Sequence, residues 1–153
     1  MRFILIDAIV DMVPGRTIHA IKTLPSDEEI FRDHFPGFAV VPGVLLIEMM
    51  AQAAGKCLDA ENRERGKAML VQVDHGSFRS WVKPDQRADI HAQITSSESV
   101  YAKASCRIAV EGRNAASADL LFTFVPYAKF AESFRDELLE RFMARAEAEE
   151  RQG

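Results

Sequence analysis

Apolar and polar positions divide the chain into segments. Residues 4–13 and 16–24 read as two strands, with Pro14-Gly15 marking a turn between them. Pro25-Ser26-Asp27-Glu28-Glu29 has the look of a helix start. Ser26 suits an N-cap, Glu29 lies three positions on, and Ile30 and Phe31 would pack the short helix down. Residues 44–54 are apolar around the whole helical wheel: Val44, Leu45, Leu46, Ile47, Met49, Met50, Ala51, Ala53 and Ala54 leave no polar face. Such a helix is buried or spans a membrane, and this one falls short of the roughly 20 residues a bilayer needs. It is expected to be the central buried helix of a domain. Residues 59–66 are polar and read as a surface connection ended by Gly66.

A β-like half follows. Residues 69–73 and 77–82 read as short strands, Lys83-Pro84-Asp85 as a turn, and residues 88–96 as a strand with Ile90, Ala92 and Ile94 on one face. From Val100 to Val110 the even positions Ala102, Ala104, Cys106 and Ile108 alternate with Tyr101, Lys103, Ser105 and Arg107, a half-buried strand. Glu111-Gly112-Arg113-Asn114 is a hairpin turn, and residues 117–126 are the last strand. Hairpin, buried helix and antiparallel meander together predict an α+β domain over residues 1–126, its sheet curled around the helix. In residues 127–153, Phe130, Phe134, Leu138 and Phe142 recur every four positions beside Leu139 and Met143. They predict an amphipathic C-terminal helix, packed on its own domain or on a second copy, or docking a regulatory partner. Its last residues, 147–153, are expected to fray.

A chain of 153 residues makes about one domain with a real core. Its net charge of −4 argues against general nucleic-acid binding. The N-terminus has one Arg and a short apolar run broken by Asp7, without a small-residue cleavage site, and is not read as a signal peptide. No membrane association is expected. Cys57 and Cys106 cannot build a disulfide framework and are expected to be free thiols of a cytoplasmic protein. The four histidines (His19, His34, His75, His91) show no metal-ligand spacing, so no metal site is expected. His19 reads as structural or exposed.

The chemistry concentrates in residues 33–55. Glu48 interrupts the apolar helix, and burying an ionised carboxylate unpaired is costly. It needs a buried Arg or Lys, or a functional reason to be there. Gln52 lies one turn later on the same face and can orient it. His34 precedes the helix, and Pro42-Gly43 opens it, leaving free N–H groups that favour negative charge. One segment therefore offers an imidazole base, a carboxyl acid and an oxyanion site.

This segment resembles the active-site stretch of the 3-hydroxyacyl-[acyl-carrier-protein] dehydratases, hotdog-fold enzymes of fatty-acid synthesis. The shared pattern is His34-Phe35-Pro36-Gly37, four residues, Pro42-Gly43-Val44-Leu45, then Glu48 and Ala51-Gln52. A weaker likeness extends over residues 5–125. The resemblance implies a hotdog fold, with the curved antiparallel sheet wrapped around the central helix. It also implies dehydration of a (3R)-3-hydroxyacyl thioester to the trans-2-enoyl thioester, without cofactor. His34 is then the base, Glu48 of a partner subunit the acid, the Gly43 amide the oxyanion donor, and Phe35 and Gln52 further substrate-site residues. The implied partners are an acyl carrier protein bearing a phosphopantetheine-linked acyl chain, and a second copy in a homodimer or in a hexamer built as a trimer of dimers. Arg79, Lys83 and Arg87 are the candidate docking cations for an acidic carrier.

The chain departs from the family pattern at Asp33, where Gly is frequent, at Phe38-Ala39, where Asn-Pro is frequent, and at Asp85, where Gly is frequent. Phe38 is bulkier and would narrow the site. Two alternatives stay open at this stage, a hotdog acyl thioesterase and a non-catalytic acyl-binding subunit.

Overall fold

The computed structural model describes residues 1–153. Six strands form one antiparallel sheet: β1 (Ala8–Val13), β2 (Thr17–Thr23), β3 (Lys67–Phe78), β4 (Arg87–Ser97), β5 (Tyr101–Val110) and β6 (Arg113–Val125), in the order β1-β2-β4-β5-β6-β3. Between β2 and β3 come the single turn α1 (Ile30–Asp33) and the 19-residue α2 (Gly43–Glu61). A last helix, α3 (Glu137–Gln152), follows the sheet. The sheet wraps α2, which packs against β2 through β6; this is the hotdog arrangement.

The inner face of the sheet explains how the helix fits. Ala20, Ala88, Ala92, Ala102, Ala104, Ala116 and Ala118 are all buried there, between the larger Ile18, Ile90, Ile108, Leu120 and Phe122. Small side chains let a thick helix approach, and the large ones fill the spaces between its ridges. On the helix Met49, Met50, Ala53, Ala54, Cys57 and Leu58 are almost completely buried. Each large apolar side chain sealed this way contributes about 1.5–3 kcal/mol.

Four local expectations are corrected. First, α2 does not stop at residue 54 but runs to Glu61. Asp59 is 2 % exposed within it, not on a surface connection. Its carboxylate accepts from Lys67 Nζ at 2.5 Å and from the Ala68 amide at 2.9 Å, so the charge that resembled a loop signal is a buried anchor for β3. Second, β3 is one strand rather than two, irregular between Asp74 and Ser77, where His75 has φ 53°. Residues 79–82 lie outside the ladder, and the Arg79 and Ser80 amides both donate to the Ala115 carbonyl. Third, Ser26 caps nothing; its amide donates to Asp85 Oδ1 at 3.0 Å, and α1 starts only at Ile30. Phe31 is buried as expected. Fourth, α2 is not enclosed all round: Val44 is 76 % exposed and begins a stripe with Glu48, Gln52 and Lys56 that reaches the surface of the single chain.

The C-terminal helix packs on its own domain, but it starts only at Glu137, so Phe130 and Phe134 of the expected stripe lie ahead of it. Asp136 is its N-cap, accepting from the Leu139 amide at 3.1 Å, and also takes two bonds from Lys56 Nζ at 2.8 and 2.7 Å. Leu139 is buried, and Leu138, Phe142 and Met143 lie against the core. The helix continues to Gln152, past the point where fraying is expected. No helix is long and apolar enough to cross a membrane.

Removing one partner of a buried ion pair leaves the other charge uncompensated. Asp59→Ala should therefore lower stability by about 3 kcal/mol, read by urea unfolding.

Candidate active site

The loop after α1 positions His34. Phe35 and Phe38 exchange backbone hydrogen bonds, N–H to O at 3.1 and 2.9 Å, around Gly37, whose φ of 78° suits glycine. The Val40 amide donates to the His34 carbonyl at 3.1 Å. The His34 ring answers across the same closure: Nδ1 lies 3.0 Å from the Val40 carbonyl oxygen. A carbonyl only accepts, so Nδ1 carries the hydrogen and the neutral ring presents an unprotonated Nε2. Phe35 stacks on the imidazole, with centroids 4.1 Å apart. Buried Val40 and Val41 pin the loop's far end, and the Val41 amide donates to the Val82 carbonyl at 2.7 Å.

Pro42 then turns the chain into α2 as its N-cap. The amides of Gly43 and Val44 have no backbone acceptor, as expected for the first turn of a helix. Gly43 lets the Phe78 ring lie close, because a Cβ there would stand 3.0 Å from it, a tight contact. His34, Phe35, Gly43, Leu46, Phe78 and Trp81 line a cavity of about 260 Å³, mostly apolar, together with Val40, Val41, Ser80 and Val82. An imidazole and a free helix amide thus border one apolar space.

Glu48 and Gln52 lie outside that cavity. Glu48 is half-buried in the single chain and pairs with no Lys or Arg of its own chain. Its Oε1 accepts from Gln52 Nε2 at 3.1 Å. Arg79 and Lys83 are exposed, each next to a residue of the cavity wall, and make no side-chain ion pair. Arg87 is drawn away from that role by Asp89, 2.8 Å from its guanidinium. The sequence reading did not single out Phe78 and Trp81. The signal available was two aromatic residues in a mostly polar stretch before Lys83. Phe38 meets Trp81 edge-on at 6.1 Å. No cluster of His, Cys, Asp and Glu has the makings of a metal-ligand set.

The model of the FabA-like domain matches residues 1–119. The 3-hydroxyacyl-[acyl-carrier-protein] dehydratase FabZ of Listeria monocytogenes is 32 % identical over 121 residues, 78 % of this chain and 84 % of that protein. FabZ of Lactobacillus helveticus is 36 % identical over 117 residues, covering 76 % and 79 %. The chain belongs to the 3-hydroxyacyl-[acyl-carrier-protein] dehydratase family. Among solved structures, the dehydratase heterocomplex ApeI:P of Xenorhabdus doucetiae superposes with a TM-score of 0.67 at 16 % identity, over 82 % of this chain and 86 % of that one. A hypothetical thioesterase of Streptococcus pneumoniae with coenzyme A gives 0.63 at 13 % identity, over 77 % and 84 %. At these identities the structures share the fold alone.

The remaining titratable groups of this dehydratase-family chain lie elsewhere. Burial pushes the thiols of Cys57 and Cys106 up to about 11 and about 12, so neither is a nucleophile near neutral pH. On the outer face of the sheet His19 and His91 stack with centroids 4.3 Å apart, and His19 Nε2 lies 2.8 Å from Asp89 Oδ1. Burial of Asp89 opposes its ionisation, but hydrogen bonds from Arg87 and His19 outweigh it and hold its carboxyl below the usual range. Burial, and then the like charges of Arg107 and His19, push the His91 imidazole below its ordinary value.

Two outcomes follow from this geometry. Gly43→Ala sets a methyl against the Phe78 ring, which is half exposed and can yield, so stability should change by no more than about 1 kcal/mol, read as Tm. For His91 the folded state resists a proton that the unfolded chain accepts. Stability should fall as pH drops through about 6.5, the unfolded value. Denaturant midpoints between pH 8 and 5 should fall less in His91→Phe than in the parent.

Proposed function

We propose that the chain removes water from a (3R)-3-hydroxyacyl thioester on acyl carrier protein, giving the trans-2-enoyl thioester, as FabZ relatives do in fatty-acid synthesis. The observation that carries the reading is the His34 ring. Its Nδ1 is committed to the Val40 carbonyl and its Nε2 is free, in a cavity shared with the unsatisfied Gly43 amide. His34 Nε2 takes the C2 proton. Negative charge builds on the thioester oxygen, and the Gly43 N–H holds it, a donor typically worth about 3 kcal/mol. Glu48 gives a proton to the C3 hydroxyl, the C3–O bond breaks, and water leaves. The imidazolium and the carboxylate left behind reset by proton exchange through solvent. Phe35 covers one face of the base, and Gln52 holds Glu48.

In this reading Glu48 serves the His34 of a second copy, because it does not line the His34 cavity of its own chain. A homodimer is supported by β3, a 12-residue edge strand with exposed Met69, Val71 and Val73, and by the exposed Val44. A long apolar edge calls for a partner. A hexamer would be three such dimers. Residues 1–126 are the dehydratase domain and residues 127–153 its helical extension, and the protein works in the cytoplasm. Arg79 and Lys83 meet the acidic carrier, whereas Arg87, tied to Asp89, contributes little.

Complementation tests the shared site. His34→Ala and Glu48→Ala should each lose at least a hundredfold in turnover of a 3-hydroxyacyl carrier thioester. Mixing the two inactive proteins should recover part of it, up to about a quarter of the parent's. No turnover by the folded parent at any chain length would overturn the reading. Release of free thiol instead would make the protein a thioesterase.

A further inference from the structure

The N-terminal segment ahead of β1 touches the stripe of α2 that carries Glu48. The Leu5 amide donates to Gln52 Oε1 at 2.8 Å. Gln52 Nε2 donates to the Phe3 carbonyl at 3.2 Å and to Glu48 Oε1 at 3.1 Å. A carboxamide has one accepting end and one donating end. A backbone N–H can only donate, so Leu5 fixes where the Gln52 oxygen points. The NH2 end is thereby turned toward Glu48 and toward the Phe3 carbonyl, which can only accept.

The segment is held firmly enough to impose this. Leu5 and Ile6 are 0 % and 1 % exposed, although they lie outside the strand. The Asp7 amide donates to the Ile21 carbonyl at 2.8 Å. Lys22 Nζ bridges the Ile4 carbonyl at 3.0 Å and Asp7 Oδ1 at 2.9 Å, while Asp7 Oδ2 accepts from the Thr23 amide. A lysine on β2, which lines neither the His34 cavity nor the stripe of Glu48, therefore closes the clasp.

We propose that residues 3–5, latched by Lys22 and acting through Gln52, form a positioning device that distinguishes the two oxygens of Glu48. Oε1 accepts the amide hydrogen, and Oε2 is the oxygen that carries the proton to be donated. The device rests on the reading of Glu48 as the acid. Gln52 and Lys22 are positioning residues; neither touches the reacting atoms. A neutral carboxyl that already accepts on one oxygen presents its O–H from the other in one direction, and orientation of this kind is what an acid catalyst must supply.

Lys22→Met tests it without altering the cavity, with Lys22→Arg as the conservative control. Expected in Lys22→Met is a fall in kcat on the order of tenfold with KM unchanged. The Gln52 side-chain NH2 signals in 15N–1H NMR should collapse toward free-amide positions. Lys22→Arg should keep both kcat and the Gln52 signals at the parent's values, and Gln52→Met should reproduce the fall in kcat. A Lys22→Met protein with a lower Tm but unmoved Gln52 signals would overturn the proposal. Full turnover by Glu48→Gln would instead remove Glu48 as the acid. The NMR comparison would then still decide whether the segment sets the Gln52 amide.

Discussion

A helix that is apolar on nearly every side has to be covered, and the sheet exists in this chain as that cover. The dependence runs both ways. The alanines of β4, β5 and β6 would leave a thin, poorly filled layer without Met49, Met50, Leu58 and their neighbours against them. Because interiors pack like crystals, the match of a thick helix to a small-residue sheet fixes the depth and rotation of α2. Everything at the site inherits that placement. Pro42 and Gly43 stand where the helix emerges from the sheet, and Glu48 and Gln52 stand on the stripe that the sheet leaves open.

The site then follows from a few hydrogen bonds of fixed sense. A carbonyl beside His34 selects the tautomer, and a backbone N–H beside Gln52 selects the direction of the amide. Neither choice needs a charged neighbour. This suits an apolar cavity, where an extra ion would have to be desolvated. The helix N-terminus supplies positive potential in the same economical way, from amides the fold must leave unpaired.

Much of this was legible in the sequence. The alternation of residues 100–110 gave a strand in its observed place, and the apolar run after Gly43 gave the central helix. His34, Gly43 and Glu48 stood out because an imidazole, a helix start and a carboxyl within an apolar helix fall in one short segment. What escaped depends on distant partners. Asp59 looks like a surface charge until Lys67, eight positions on, folds back onto it. Ser26 looks like a cap until Asp85 takes its amide. Phe78 and Trp81 join the cavity only because the segment after β3 crosses over the start of α2. Periodicity reports which face is buried; it does not report what meets that face.

The strand order carries a consequence for how the chain is made. β3 pairs only with β6, which ends 47 residues after β3 does (125 minus 78). At typical translation rates of about 5–20 residues per second, the ribosome takes roughly 2–10 s to deliver that partner. For this interval Met69, Val71 and Val73 belong to a nascent segment with no ladder on either side. The newborn chain is therefore most exposed to capture by chaperones, or to clumping with its neighbours on a polysome, just before its final strand emerges.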